Sequence, residues 1–84
     1  MDKTAIKLTT DYIYTHLNEF KEIPEFNVYI VWKCKVLQNW KYLTSSTLSD
    51  GMYYELTFDG DNKRWYFDAY KKIDNKVITC GNLF

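Results

Sequence analysis

The residues able to do chemistry are few and scattered. The single histidine, His16, falls on a helix face roughly opposite the apolar stripe, and Ser45, Ser46 and Ser49 gather in a separate polar stretch. Neither a GxSxG elbow nor any recognisable triad spacing is present. Two carboxylate pairs, Asp59 with Asp61 and Glu55 with Asp68, are of the type that acid–base chemistry uses. Asp59 and Asp61 flank a tight turn, however, where acids are favoured for local hydrogen bonding alone. Gly51, Gly60 and Gly81 stand singly, so no glycine-rich loop can cradle a phosphate. Cys34 and Cys80 form no CxxC, and with one His they fall short of the roughly four ligands that zinc takes. A disulfide between them is formally open. With no secretory leader, two buried, reduced thiols are the expectation. These absences predict no catalytic residues, no metal, no cofactor and hence no enzyme.

The chain that must carry any function has 84 residues. Its 10.1 kDa gives room for one core, residues 1–84 forming a single domain. Area scaling gives a folded surface of roughly 5,300 Å², with about 64% of the unfolded surface buried. Aromatic residues make up 19%, while three Gly and one Pro argue against a disordered segment. Eleven basic residues balance eleven acidic ones, which removes the basic footprint that duplex nucleic acid demands. No apolar run reaches the ~18 residues of a membrane span, and no basic-then-apolar leader opens the chain. The expected setting is therefore cytoplasmic, without a membrane.

Residues 4–20 read as a helix: Ile6, Ile13, Leu17 and Phe20 recur at helical steps, with Thr9 and Thr10 on the same stripe. Asp2 and Thr4 are the capping candidates. β-Branched residues leave this helix marginal on propensity, so it must form by docking on something flat and apolar. Pro24 ends it. From Phe26 the period changes to two. Val28, Ile30, Trp32, Cys34 and Val36 fall on one side, and Tyr29, Val31, Lys33, Lys35 and Leu37 on the other. The apolar first half of this strand predicts a central position in the sheet. A turn at Gln38 and Asn39 precedes a strand from Trp40 to Thr44, and residues 45–51 read as a loop ending in Asp-Gly. Met52, Tyr54, Leu56 and Phe58 alternate inward along the next strand. After a polar turn at residues 60–63, Trp65, Phe67 and Ala69 do so along residues 64–73. Asp74-Asn75 predicts a two-residue hairpin returning a fifth strand, with Ala69 opposite Cys80 and Lys71 opposite Ile78. The fold class is α+β: one N-terminal helix packed on a four- or five-stranded antiparallel sheet, α-β-β-β-β-β.

This pattern leaves Tyr53, Glu55, Tyr66, Asp68 and Tyr70 together on the sheet face away from the helix. Tyrosine offers large contact area at low entropy cost and still hydrogen-bonds, so such a face is suited to binding. Three readings compete. Contact with a protein, a second copy of the chain included, fits Tyr anchors in a mixed-charge rim. Single-stranded nucleic acid would stack on the rings, with Lys33, Lys35 and Lys41 on phosphates, but Glu55 and Asp68 would repel that backbone. Cross-strand packing of the tyrosines would merely stabilise the sheet. A second candidate is the stretch Trp32, Lys33, Cys34 and Lys35 leading to Leu37-Gln38-Asn39-Trp40-Lys41, from which Trp40 and Lys41, just past the first turn, join the contact set. The alternative for Trp40 is that it closes one end of the core with Tyr42.

The same segments carry a resemblance. Val31-Trp32-Lys33-Cys34-Lys35-Val36-Leu37-Gln38-Asn39-Trp40-Lys41, Ser49-Asp50-Gly51-Met52-Tyr53-Tyr54-Glu55 and Asp68-Ala69-Tyr70-Lys71-Lys72 resemble an uncharacterised family of small proteins. Its members are encoded by tailed phages and prophages of Gram-positive bacteria, and the likeness runs from about Val28 to Ile78. It brings no catalytic residues. It implies work inside the bacterial host cytoplasm, where small non-catalytic proteins of this kind bind a host or phage protein. Some inhibit a host enzyme or defence system, as anti-CRISPR proteins do.

Overall fold

The computed structural model describes residues 1–17, 24–79 and 81. A helix, α1 (Asp2–Leu17), is followed by four strands: β1 (Val28–Val36), β2 (Asn39–Ser46), β3 (Met52–Asp59) and β4 (Arg64–Lys71). They form one antiparallel sheet in the order β1-β2-β3-β4, with α1 across one face. The expected α+β architecture with four strands is observed.

In α1 the buried line runs Ala5, Thr9, Ile13, at steps of four, with Tyr12 and Leu17 packed beside it. Ile6, assigned to the stripe from spacing, is only half-buried, and Phe20 lies outside the described residues. The threonines are tolerated because their hydroxyls donate back to carbonyls one turn earlier: Thr9 to Ala5, Thr10 to Ile6 and Thr15 to Asp11, at 2.7 to 2.9 Å. Asp2 opens the helix but reaches across to the sheet. One carboxylate oxygen accepts from Lys33 Nζ at 2.7 Å, the other from the Tyr42 hydroxyl at 2.8 Å. The Lys33 bond first, then the Tyr42 bond, hold the Asp2 carboxyl below its usual range. Further along, the Thr9 and Thr44 hydroxyls meet at 2.9 Å in a fully buried contact. Tyr42, Tyr54 and Leu56 form the sheet's share of the core.

Four sequence expectations change. β1 is an edge strand, not a central one. Its alternation also breaks: Ile30 pairs with Thr44 but Trp32 pairs with Leu43, leaving Val31 as an extra residue in a β-bulge. The first turn is Leu37-Gln38, with Leu37 at φ 56°, because Val36 pairs with Asn39. Ser45 and Ser46 are strand, not loop: they pair with Tyr29 and Val28, and both are buried. The Ser45 hydroxyl donates to the Met52 carbonyl at 2.9 Å, replacing the water a loop would have supplied.

The fifth strand is not formed. Residues 72–79 carry no strand, and the Lys72 amide bond to the Gly51 carbonyl is the last backbone tie to the sheet among them. A type I′ turn needs positive φ at both central positions and a type II′ turn at the first. Leu37 and Lys63 hold positive φ, whereas Asp74 and Asn75 do not. Cys80 lies outside the described residues.

Burial drives the Tyr42 and Tyr54 hydroxyls up to about 12, and in Tyr42 the Asp2 carboxylate adds to it. Both pKa values are raised above the unfolded value of about 10. Their contribution is thus fully present below pH ~10 and lost as pH rises toward 12. In an alkaline titration, two of the tyrosines should ionise only in that window, together with loss of far-UV ellipticity; eight rings titrating normally in a folded chain would contradict the burial. At the β3–β4 turn, a Cβ on Gly60 would be driven into the Gln38 carbonyl. Gly60→Ala is expected to cost about 2 to 3 kcal/mol in denaturant unfolding.

Candidate functional site

With α1 on one side, no described helix covers the other side of the sheet. The register sorts its side chains into ranks running across the strands. Tyr29, Ser45, Tyr53 and Tyr70 form one rank. Trp32, Leu43, Glu55 and Asp68 form the next, and Cys34, Lys41, Thr57 and Tyr66 a third. The five residues expected to share this face from alternation, Tyr53, Glu55, Tyr66, Asp68 and Tyr70, do so through direct pairing of Tyr53 with Tyr70 and Glu55 with Asp68. Tyr66 and Tyr70 are about half exposed, at 49% and 52%. Tyr53 and Glu55 are half-buried among their neighbours.

Lys41 joins this face, and its ammonium lies 2.9 Å from Glu55 Oε1. The hydrogen bond to Glu55 and that carboxylate's charge raise the Lys41 pKa, so the lysine is committed to an acid of its own sheet. Asp68 has no cation within ion-pair distance among the described residues. The face therefore presents one unneutralised carboxylate amid tyrosines.

Trp40 is the misplaced member of the expected contact set. Its ring lies on the helix side, stacked on Tyr42 at 5.9 Å with an interplanar angle of 15°, and Lys35 Nζ sits 5.5 Å from the indole. It closes one end of the core. Lys33 and Lys35 also lie on the helix side, because the bulge at Val31 reverses the sides of the strand after it. Two of the three lysines offered as phosphate contacts are thus on the wrong side of the sheet.

That same reversal brings in residues that alternation alone missed. Trp32, Cys34 and Val36 turn to the open face and, with Lys41 and Thr57, line a shallow apolar groove of about 310 Å³, which Trp40 also borders. Trp32 is 44% exposed and Val36 61%. Cys34, expected to be buried, is an exposed free thiol. The available signal was the Lys33/Lys35 pair alternating with Trp32 and Cys34: lysines are at home where a strand edge meets a helix-borne acid, here Asp2.

A smaller hollow of about 220 Å³ lies between the end of α1 and the β2–β3 connection, lined among others by His16, Asp50, Tyr12 and Tyr54. His16 Nδ1 lies 3.0 Å from the Tyr12 carbonyl and its ring packs on Tyr12 at 4.1 Å. Asp50 Oδ1 accepts from the Met52 amide. Both are used locally, and no ion pair joins them. Asp59 is likewise committed to its turn, accepting from the Asp61 and Asn62 amides and the Asn62 side chain. Those bonds, led by the Asn62 side chain, hold its carboxyl below the usual range. Among the described residues no three His, Cys, Asp or Glu side chains gather as a metal site would require, and no helix is long and apolar enough to cross a membrane.

The model of a family of unknown function, DUF6275, matches residues 2–80. The chain belongs to that family. The match takes in α1 as well as the stretch from Val28 to Ile78, so the open face and the helix that leaves it open both fall within the DUF6275 region. No curated protein and no solved structure matches the chain.

The bulge makes a measurable claim about this DUF6275 chain. In a Cys80→Ser background, so that one thiol is read, Cys34 should react fully with a thiol reagent before any denaturant is added. Reaction only after unfolding would mean that β1 keeps its unbroken alternation.

Proposed function

We propose that this DUF6275 chain is a non-enzymatic binding module that grips a partner protein with its open sheet face. The observation carrying this reading is the in-register cluster of Tyr53, Tyr66 and Tyr70 around Asp68, continued by Trp32 and its groove, on the side that α1 leaves bare. Exposed tyrosine and tryptophan in a mixed-polarity rim are the anchors that protein interfaces use. Asp68, lacking a cation of its own, sets the partner's complement: an arginine or lysine presented among apolar side chains. Single-stranded nucleic acid fits less well, because Lys33 and Lys35 face away and Lys41 is held by Glu55. The resemblance to small tailed-phage and prophage proteins supplies the setting. There the partner is a host or phage protein in the bacterial cytoplasm, and binding inhibits a host enzyme or defence system.

Replacing Tyr53, Tyr66 and Tyr70 by Ser, and separately Asp68→Lys, tests the face. Both variants are expected to stay folded by circular dichroism, since none of the four residues belongs to the core, and to lose the partner captured by the unaltered chain from bacterial lysate. Undiminished recovery with both would remove this surface from the reading. Steep, salt-sensitive binding of single-stranded DNA or RNA would favour the nucleic-acid alternative instead.

A further inference from the structure

The described chain leaves more surface open than its mass requires. Its accessible area is 6743 Å², about 1,400 Å² above the roughly 5,300 Å² expected of a folded 10.1 kDa monomer. Its radius of gyration is 15.8 Å, against about 12 Å for a compact chain of this length. One contributor is the segment after β4. Ile73, Val77 and Ile78 are 97%, 94% and 76% exposed, yet this stretch is rich in the β-branched residues that favour strands. β4, which it follows, is the last strand of the sheet, and its outer edge has no partner strand among the described residues.

From these two complementary vacancies we infer that a second copy of the chain pairs with this segment, residues 72–79 of each protomer running antiparallel to residues 70–77 of the other and so reaching the end of its β4. The register follows from the sequence. A closed hairpin at Asp74-Asn75 would set Lys71 against Ile78, Lys72 against Val77 and Ile73 against Lys76. Two extended copies of β4 and its continuation, laid antiparallel about a two-fold axis between Asp74 and Asn75, make the same pairs across protomers. Every contact the hairpin would form is kept. What disappears is the turn, which would require positive φ at Asp74 at least. A strand exchanged through a short hinge is a low-cost route to a closed, symmetric dimer. The C-terminal end of each β4 edge gains a partner there. Val77 and Thr79 would then extend the open face beside Lys72 and Tyr70, and Ile78 would fall on the helix side with Phe67 and Ala69.

The decisive experiment is a crosslink in the full chain. Lys72→Cys with Val77→Cys, in a Cys34→Ser and Cys80→Ser background, should give a covalent dimer on non-reducing gels after oxidation. Light scattering across a dilution series should show the uncrosslinked chain as a dimer. Replacing Ile73, Val77 and Ile78 by Ser should weaken that dimer by more than about tenfold without loss of helix or sheet signal. Asp74→Asn with Asn75→Gly, which builds a turn that closes in cis, should convert dimer to monomer. A crosslink confined to monomers, a monomer at all concentrations, or a dimer indifferent to the three serines would each overturn the inference. A Tyr53→Ser, Tyr66→Ser variant, which leaves the paired residues 70–79 untouched, should remain dimeric, which separates this edge from the partner-binding face.

Discussion

One helix for a four-stranded sheet is the constraint on which the molecule turns. Sixteen residues make a rod about 24 Å long and 10 Å wide, enough to cover two strands on one side. α1 lies over β1 and β2, and the helix-side surface of β3 and β4 is finished by side chains alone. Tyr12 packs against Tyr54 and Phe67, and Trp65 against Phe58 and Tyr42. The core is correspondingly small, and no described helix covers the opposite side of the sheet.

A small core puts weight on the contacts that hold the helix in place. Two of them are polar. Asp2 ties the start of α1 to neighbouring strands through Lys33 and Tyr42, while the Thr9–Thr44 contact fixes its middle. Buried hydroxyls this deep are tolerable because each is satisfied, Thr9 by the Ala5 carbonyl and Thr44 by Thr9. No buried side-chain nitrogen or oxygen among the described residues is left without a partner. Such contacts have a strict geometry, so they select one placement of the helix where apolar packing alone would admit several.

The bulge at Val31 does for the open face what α1 does for the core. One extra residue leaves Val28 and Ile30 under the helix and sends Trp32, Cys34 and Val36 out beside the tyrosines of β3 and β4. Lys33 is delivered to Asp2 by the same step. A single irregularity thus widens the proposed binding surface and secures the helix that leaves it bare.

Alternation in residues 52–59 and 64–71 was enough to determine the β3–β4 pair, its buried Tyr54 and Leu56, and the shared face of Tyr53, Glu55, Tyr66, Asp68 and Tyr70. Side-chain direction in a regular strand follows from backbone geometry alone, so period two is legible wherever the ladder is unbroken. The helix was legible for the parallel reason that 3.6-residue spacing marks one flank. Only the tertiary structure decided where the ladder breaks and which side of Trp40 and Cys34 meets water, because a bulge is selected by the partner strand and the helix above it. It also decided that residues 72–79 do not return. A turn without glycine leaves that outcome to the balance between backbone strain and the pairing on offer, and no local pattern records that balance.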